Sequence, residues 1–368
     1  MTDHSLPRIA AGLFFNGLIY RYKKMTGKPM RPQAISLEIT HRCIAKCIMC
    51  NIWQIPEQVP ELSADEWLDF LSDDFLSDIR ELDITGGEPF LLDDIDRIFS
   101  GIAALSKKNL KKLKSAAVTT NGFLTERVVE KTEKILSEFN KAGLDLVVVC
   151  ALDGIGEVHE KIRNVKEAFN RVSSTIDKLS DLRSRYSNLV IGIKTTILPV
   201  NIDELQKISK YACAKGLFTI MSPCIITSGR YLNKESQERL QFSYEDKAKM
   251  IRFFKGREFM WGFHTKSLIK YLETGVMRKP CTCGFNYFFI RSSGELYLCP
   301  LINKGLGSIK NKKIKTLLFS DEAVKFRKMA GNFPECIRCT EPGLERYALP
   351  FEGFTYLRTI LKSRQRFK

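Results

Sequence analysis

The sequence predicts an α/β fold: a partial (β/α)6 TIM-like barrel with a small C-terminal α+β cluster-binding domain. Three observations lead there. Between residues 33 and 223, short β-rich runs alternate with longer helical stretches, the pattern of stacked βα units with parallel strands. The chain has 368 residues, 44% of them hydrophobic, enough to bury a full-sized core and divide into a larger and a smaller unit. Eleven cysteines fall at close spacings in a long chain without a secretory signal, which favours metal or cluster ligation in a reducing cytoplasm over disulfides.

Taken in order, the segment 1–32 reads as an amphipathic, basic N-terminal helix. Phe14, Leu18, Tyr22 and Met25 fall on one stripe with Arg21, Lys23 and Lys24 beside it; the run is too short to span a bilayer, and its charges stand in the wrong order for a signal peptide. Such a helix either lies on a membrane or docks on the domain it precedes. The barrel fills 33–230, with strands expected at Ala34–Ile39, Arg80–Thr85, Ser115–Thr120, Leu144–Leu152, Leu189–Leu198 and Leu217–Ser222. Ser63 with Glu66 is a capping box, and Asn201 with Glu204 has similar spacing. A helical connection occupies 231–280, the cluster-binding domain 281–345, and a basic tail 346–368.

Ligands of such folds gather at the C-terminal ends of the strands. Directly after the first expected strand stand Cys43, Cys47 and Cys50, spaced C-x3-C-x2-C in one loop. Three thiolates so placed can each hold one iron of a 4Fe-4S cube and leave the fourth iron open to a small chelating molecule. Structural zinc wants four closed ligands in paired C-x2-C, and His41 lies awkwardly before the first cysteine.

This loop resembles the signature of the radical S-adenosylmethionine (SAM) superfamily. After the second strand, Thr85-Gly86-Gly87-Glu88-Pro89 is similar to the Gly-Gly-Glu-Pro element of that family, whose turn brings polar backbone to the methionine amino group of SAM. Weaker echoes follow at Asn121, at Asp153, at His159 and Arg163, and at Lys194 and Asn201; each reads equally as a turn or cap residue. Two positions depart from the pattern. Met49 stands before the third cysteine, where the family often has an aromatic residue near the adenine, and Ala151 stands where it often has serine. A thioether still packs on a ring. The resemblance implies Cys43, Cys47 and Cys50 as catalytic cluster ligands, with Met49, Gly86, Gly87, Glu88, Pro89, Asn121, Asp153 and Lys194 at the cofactor. It also implies the chemistry. One electron through the cluster breaks SAM into methionine and a 5′-deoxyadenosyl radical, which abstracts hydrogen from a substrate C–H bond in oxidation or bond formation.

The second cysteine group, Cys281, Cys283, Cys299, Cys336 and Cys339, suits an iron-sulfur cluster or zinc when taken alone. Behind a radical SAM core it resembles the twitch domain, the shorter relative of the SPASM domain, with its Gly-x4-Cys hairpin at Gly294 to Cys299. That implies one auxiliary cluster held by Cys281, Cys299, Cys336 and Cys339, with Cys283 the alternative to Cys281. Cys150, Cys213 and Cys224 read as core residues.

With 58 Lys+Arg against 42 Asp+Glu the net charge is +16, which suits an anionic partner. Nucleic acid is not expected, because basic runs such as Lys107–Lys112 carry no aromatic-basic RNA motif. An acidic flavodoxin or ferredoxin fits as electron donor. The basic, partly apolar ends and 24 Phe favour a lipid, isoprenoid or other membrane-associated substrate, with the protein cytoplasmic and peripheral on the inner face of the membrane. Peptides and small metabolites are the alternatives. Relatives that modify peptides commonly carry a leader-recognition domain, and here the first expected strand already begins at Ala34.

Overall fold

The computed structural model describes residues 5–256 and 262–351. Six parallel strands, β1 (Ala34–Thr40), β2 (Glu81–Gly86), β3 (Ser115–Thr120), β4 (Asp145–Ala151), β5 (Leu189–Ile197) and β6 (Phe218–Pro223), pair in chain order, each within about two residues of its expected bounds. The sheet does not close. Instead, β7 (Tyr287–Ile290) pairs parallel with β1, and β8 (Glu295–Tyr297) and β9 (Gly305–Ser308) follow antiparallel, giving the order β6-β5-β4-β3-β2-β1-β7-β8-β9. The cluster-binding region is therefore an extension of the barrel sheet rather than a detached unit. β1 stands between β2 and β7, and every one of its residues is buried.

Helix α1 spans Ser5–Thr26. Around the barrel run α2 (Ala64–Leu71), α3 (Ile95–Ser106), α4 (Thr125–Ala142), α5 (Glu157–Arg163), α6 (Ala168–Leu182) and α7 (Leu205–Ala214). The Ser63–Glu66 capping box is formed at the start of α2. Asn201 is not an N-cap paired with Glu204; it is the third residue of the 3-10 turn Pro199–Glu204 and caps that turn by accepting Leu198 N–H on its Oδ1 at 2.7 Å. It is fully buried and its amide donates to the Asp153 carbonyl at 2.7 Å, tying β5 to the loop after β4. The connection consists of α8 (Gln237–Leu240), α9 (Tyr244–Lys255) and α10 (Gly262–Thr274), and α11 (Ile314–Leu318), α12 (Asp321–Met329) and α13 (Pro342–Ala348) complete the C-terminal region.

The main core lies between the sheet and its helices, where Trp67, Phe99, Ile102, Leu136 and Phe139 meet the outward residues of the strands. On β3, Ala116, Val118 and Thr120 face that layer and are buried, whereas Ser115, Ala117 and Thr119 face the lumen and are half-buried. A filled barrel carries bulky branched residues at lumen positions. Here Ser115, Ala117 and Thr119 border a cavity of about 670 Å³, also lined by Ser36, Asp83, Val147 and Val149.

Candidate functional site

Above the lumen, a second cavity collects the ends of the strands. Cys43, Cys47 and Cys50 line it with Met49, Gly86, Gly87, Asn121, Ala151, Arg163 and Lys194. The cysteine loop has little regular structure and is fixed by distant chain: Ile48 N–H donates to the Ile162 carbonyl at 3.0 Å, Asn51 N–H to that of Tyr231 at 2.9 Å, and Asn233 Nδ2 to that of Met49 at 2.9 Å. Arg163, at the end of α5, donates Nη1 to Cys47 Sγ at 3.5 Å, while Nη2 pairs with Asp153 at 2.5 Å. Burial pushes the Cys43 and Cys50 thiols up to about 12, so a metal bound there would have to deprotonate them.

The glycines are dictated by close approach. A Cβ on Gly86 would stand 2.4 Å from the Thr40 carbonyl oxygen, and one on Gly87 2.2 Å from that of Arg42. Gly87 and Glu88 donate their N–H groups to the Thr40 and Arg42 carbonyls, both at 2.8 Å, which pins this turn to the cysteine loop. What the turn can offer an ammonium group is carbonyl oxygen. Asn121 lines the cavity with its Oδ1 engaged by Phe123 N–H, while its Nδ2 is buried without a partner among the described residues. That orphaned donor and the glycine cradle fit a bound polar cofactor.

Three expected cofactor residues stand behind the wall rather than in it. Glu88 is fully buried and accepts from Thr120 Oγ1 at 2.8 Å, Asn121 N–H at 2.7 Å and Phe90 N–H at 3.1 Å. Burial raises it to about 7 against those hydrogen bonds. Pro89 opens a short 3-10 turn beneath it. Asp153 holds Arg163 and Thr196 N–H, and His159 Nδ1 accepts from Asp153 N–H. Lys194 lines both cavities and makes no ion pair among the described residues. Sequence reasoning missed Arg230 and Glu341, which line both cavities beside it. Arg230 follows the sixth strand, a position the strand-end rule would have flagged; Glu341, two residues past Cys339, carries no such signal.

The second cysteine set gathers around the β7–β8 hairpin and the segment before α13, with α1 tied to it through Tyr20. Tyr20 donates its hydroxyl to the Cys281 carbonyl at 2.7 Å. Cys283 Sγ donates to the Leu298 carbonyl at 2.8 Å, and Gly284 follows in the left-handed region at φ +80°. Cys336 and Cys339 each interact electrostatically with Cys281 and Cys299, and so does Cys283. Among the described residues no three such ligands close on a single ion; a cube instead spreads its thiolates over separate irons. Of the cysteines read as core, Cys150 is buried, but Cys213 is exposed and Cys224 lines the upper cavity, because each sits where its element meets open space.

The family model of the radical SAM superfamily matches residues 37–212, and that of the SPASM iron-sulfur cluster-binding domain matches residues 281–340. The chain belongs to the radical SAM superfamily. Radical SAM proteins bind a 4Fe-4S cluster and SAM in the core, and the SPASM region binds auxiliary iron-sulfur chemistry. Similar proteins include the sporulation killing factor maturation protein SkfB of Bacillus subtilis, 23% identical over 76% of this chain and 62% of the relative. The antilisterial bacteriocin subtilosin biosynthesis protein AlbA of the same organism is 29% identical over 78% of this chain and 60% of the relative. The chain thus spans about three fifths of the length of these relatives. Among solved structures, Streptococcus suis SuiB bound to its precursor peptide SuiA superposes with a TM-score of 0.61 at 14% identity, covering 87% of this chain and 72% of SuiB, a likeness of fold.

Proposed function

We propose that this radical SAM enzyme removes a hydrogen atom from a C–H bond of a peptide, in an oxidation or a bond-forming modification. The observation that carries the active site is the single cavity lined by Cys43, Cys47, Cys50, Gly86, Gly87, Asn121 and Arg163. When bound there, the cluster and SAM supply the 5′-deoxyadenosyl radical. The chain's own residues bind and orient. Cys43, Cys47 and Cys50 ligate the cluster, and Arg163, held by Asp153, steadies Cys47. The Gly86–Gly87 carbonyls and Asn121 Nδ2 would hold SAM, with Met49 available to its adenine, and Lys194 lines both this cavity and the lumen cavity below. Glu88 and Asp153 are positioning residues. Cys281, Cys299, Cys336 and Cys339 hold the auxiliary cluster, with Cys281 preferred to Cys283 because the Cys283 thiol donates to the Leu298 carbonyl.

Peptide as the substrate class draws on SkfB, AlbA and the SuiB complex, whose names speak of peptide maturation or a precursor peptide. A lipid or other membrane-associated substrate is the second reading, favoured by the exposed apolar face of α1. An acidic flavodoxin or ferredoxin suits the net charge of +16 as electron donor in the cytoplasm.

The test is anaerobic reconstitution with counts of iron and sulfide and reductant-dependent 5′-deoxyadenosine formation, in wild type and in a Cys43→Ala/Cys47→Ala/Cys50→Ala variant. About eight irons per chain, falling to about four with all SAM cleavage lost, is the expected result. SAM cleavage that survives in the variant overturns the site. For the substrate class, a precursor peptide that raises 5′-deoxyadenosine formation and leaves with altered mass is the expected outcome, and stimulation by an isoprenoid lipid instead selects the second reading.

A further inference from the structure

The helix α1 turns two different faces outward and inward. Leu13 and Tyr20 are buried on the body, Tyr20 also meets Phe285 edge-on at 5.2 Å, and Asn16 donates to the Pro350 carbonyl at 3.3 Å. These contacts fix which side of the helix is docked. The opposite side carries Phe15 (61% exposed), Leu18 (46%), Ile19 (48%), Tyr22 (59%) and Met25 (79%), at spacings of three and four residues that form one stripe. Five large apolar side chains left in water on one helix are a liability unless something covers them.

The charges around the stripe say what covers it. From Ser5 to Arg31 the chain holds no Asp or Glu, and it carries Arg8, Arg21, Lys23, Lys24, Lys28 and Arg31. Of these, Arg21, Lys23, Lys24 and Lys28 form no ion pair among the described residues. A second copy would set this cationic surface against its own like charge. A bilayer with anionic headgroups meets both requirements: apolar side chains enter the acyl boundary while long basic side chains reach the phosphates. No helix among the described residues is long and apolar enough to cross a membrane, so the mode is lying on the surface.

We propose that the outward face of α1 docks the enzyme on an anionic lipid surface. Because the inward face holds the Cys281 loop through Tyr20, the docked helix lies between lipid and the auxiliary-cluster cysteines. The inference concerns where the enzyme works and is independent of which molecule it modifies.

The experiment is flotation of the reconstituted full chain with vesicles of phosphatidylcholine alone and of phosphatidylcholine with phosphatidylglycerol, beside a Phe15→Glu/Ile19→Glu variant. Both substitutions sit on exposed positions, and an unchanged thermal transition and iron content verify that the variant is folded. The wild type floats with the anionic vesicles, less so in high salt and with neutral vesicles, and the variant's binding falls at least about tenfold, as expected when burial of two large side chains is lost. Failure of the wild type to bind anionic vesicles overturns the proposal, as does binding that the variant retains. A dimer seen by sedimentation that the variant abolishes, with no vesicle binding, overturns it in favour of a second copy.

Discussion

At the scale of single residues, Glu88 stands behind the cavity wall and holds it in place. Its carboxylate gathers three donors from the β2 and β3 loops and so fixes the backbone of Asn121, whose side chain lines the cavity. Burial raises its folded pKa to about 7 from 4.5, so between those values the folded state holds a proton that the unfolded chain has released. Stability from this group is therefore greatest below about pH 4.5 and declines as pH rises toward 7. Measured as the difference between wild type and Glu88→Gln by denaturant unfolding, wild type loses about 2–3 kcal/mol relative to the variant between about pH 5 and 8. A flat difference refutes the assignment. Glu88→Gln also sets an amide N–H2 against Asn121 N–H, which weakens SAM binding several-fold in equilibrium dialysis while the iron content stays. The paired cysteines make a second residue-scale case. With Cys283 donating to Leu298, Cys283→Ser keeps the auxiliary cluster and its iron, whereas Cys281→Ser lowers iron by about four per chain.

At the scale of elements, the barrel was legible in the sequence and its cross-connections were not. The strand runs and the cysteine loop are local signals, carried by period, composition and spacing within one segment. Glu88 was expected at the cofactor because its motif is read along β2, but its orientation is set by what β3 brings beside it, Thr120 and Asn121. Arg230, Glu341 and the Tyr20–Cys281 contact depend on segments far apart in the chain, and no window of sequence holds both partners. Asn201 has cap spacing, and its two amide ends divide the work: Oδ1 accepts Leu198 N–H at the start of the 3-10 turn Pro199–Glu204, while Nδ2 donates to the Asp153 carbonyl and ties two strand ends together. Arg327 on α12 is a further such link: fully buried, it donates to the carbonyls of Gly27, Gly284 at 3.4 Å and Leu318, binding the end of α1, the auxiliary loop and α11. Arg327→Met fills the space but leaves three carbonyls unpaired, and a loss of about 2–4 kcal/mol in denaturant unfolding follows, with auxiliary iron lost before core iron. Equal loss of both clusters speaks against a local role.

At the scale of the whole molecule, the net charge of +16 acts over distances that no single contact reaches. Exposed charges steer an oppositely charged partner during encounter, and salt screens this with a Debye length of about 10 Å at 0.1 M ionic strength. A small reductant such as dithionite carries little of that steering, being itself a mobile ion among many. An acidic flavodoxin presents a whole surface of opposite sign. The rate of 5′-deoxyadenosine formation driven by limiting flavodoxin therefore falls steeply, by about tenfold or more, as salt is raised from low to about 0.3 M, while the dithionite-driven rate changes little. The comparison separates encounter from chemistry, since both reductants feed the same cysteine loop. It is run without vesicles, so that lipid binding by α1 does not compete for the same positive charge. Parallel decline under both reductants would mean that salt disturbs the cluster or SAM site itself, and insensitivity under both would mean that the positive surface serves something other than its electron donor.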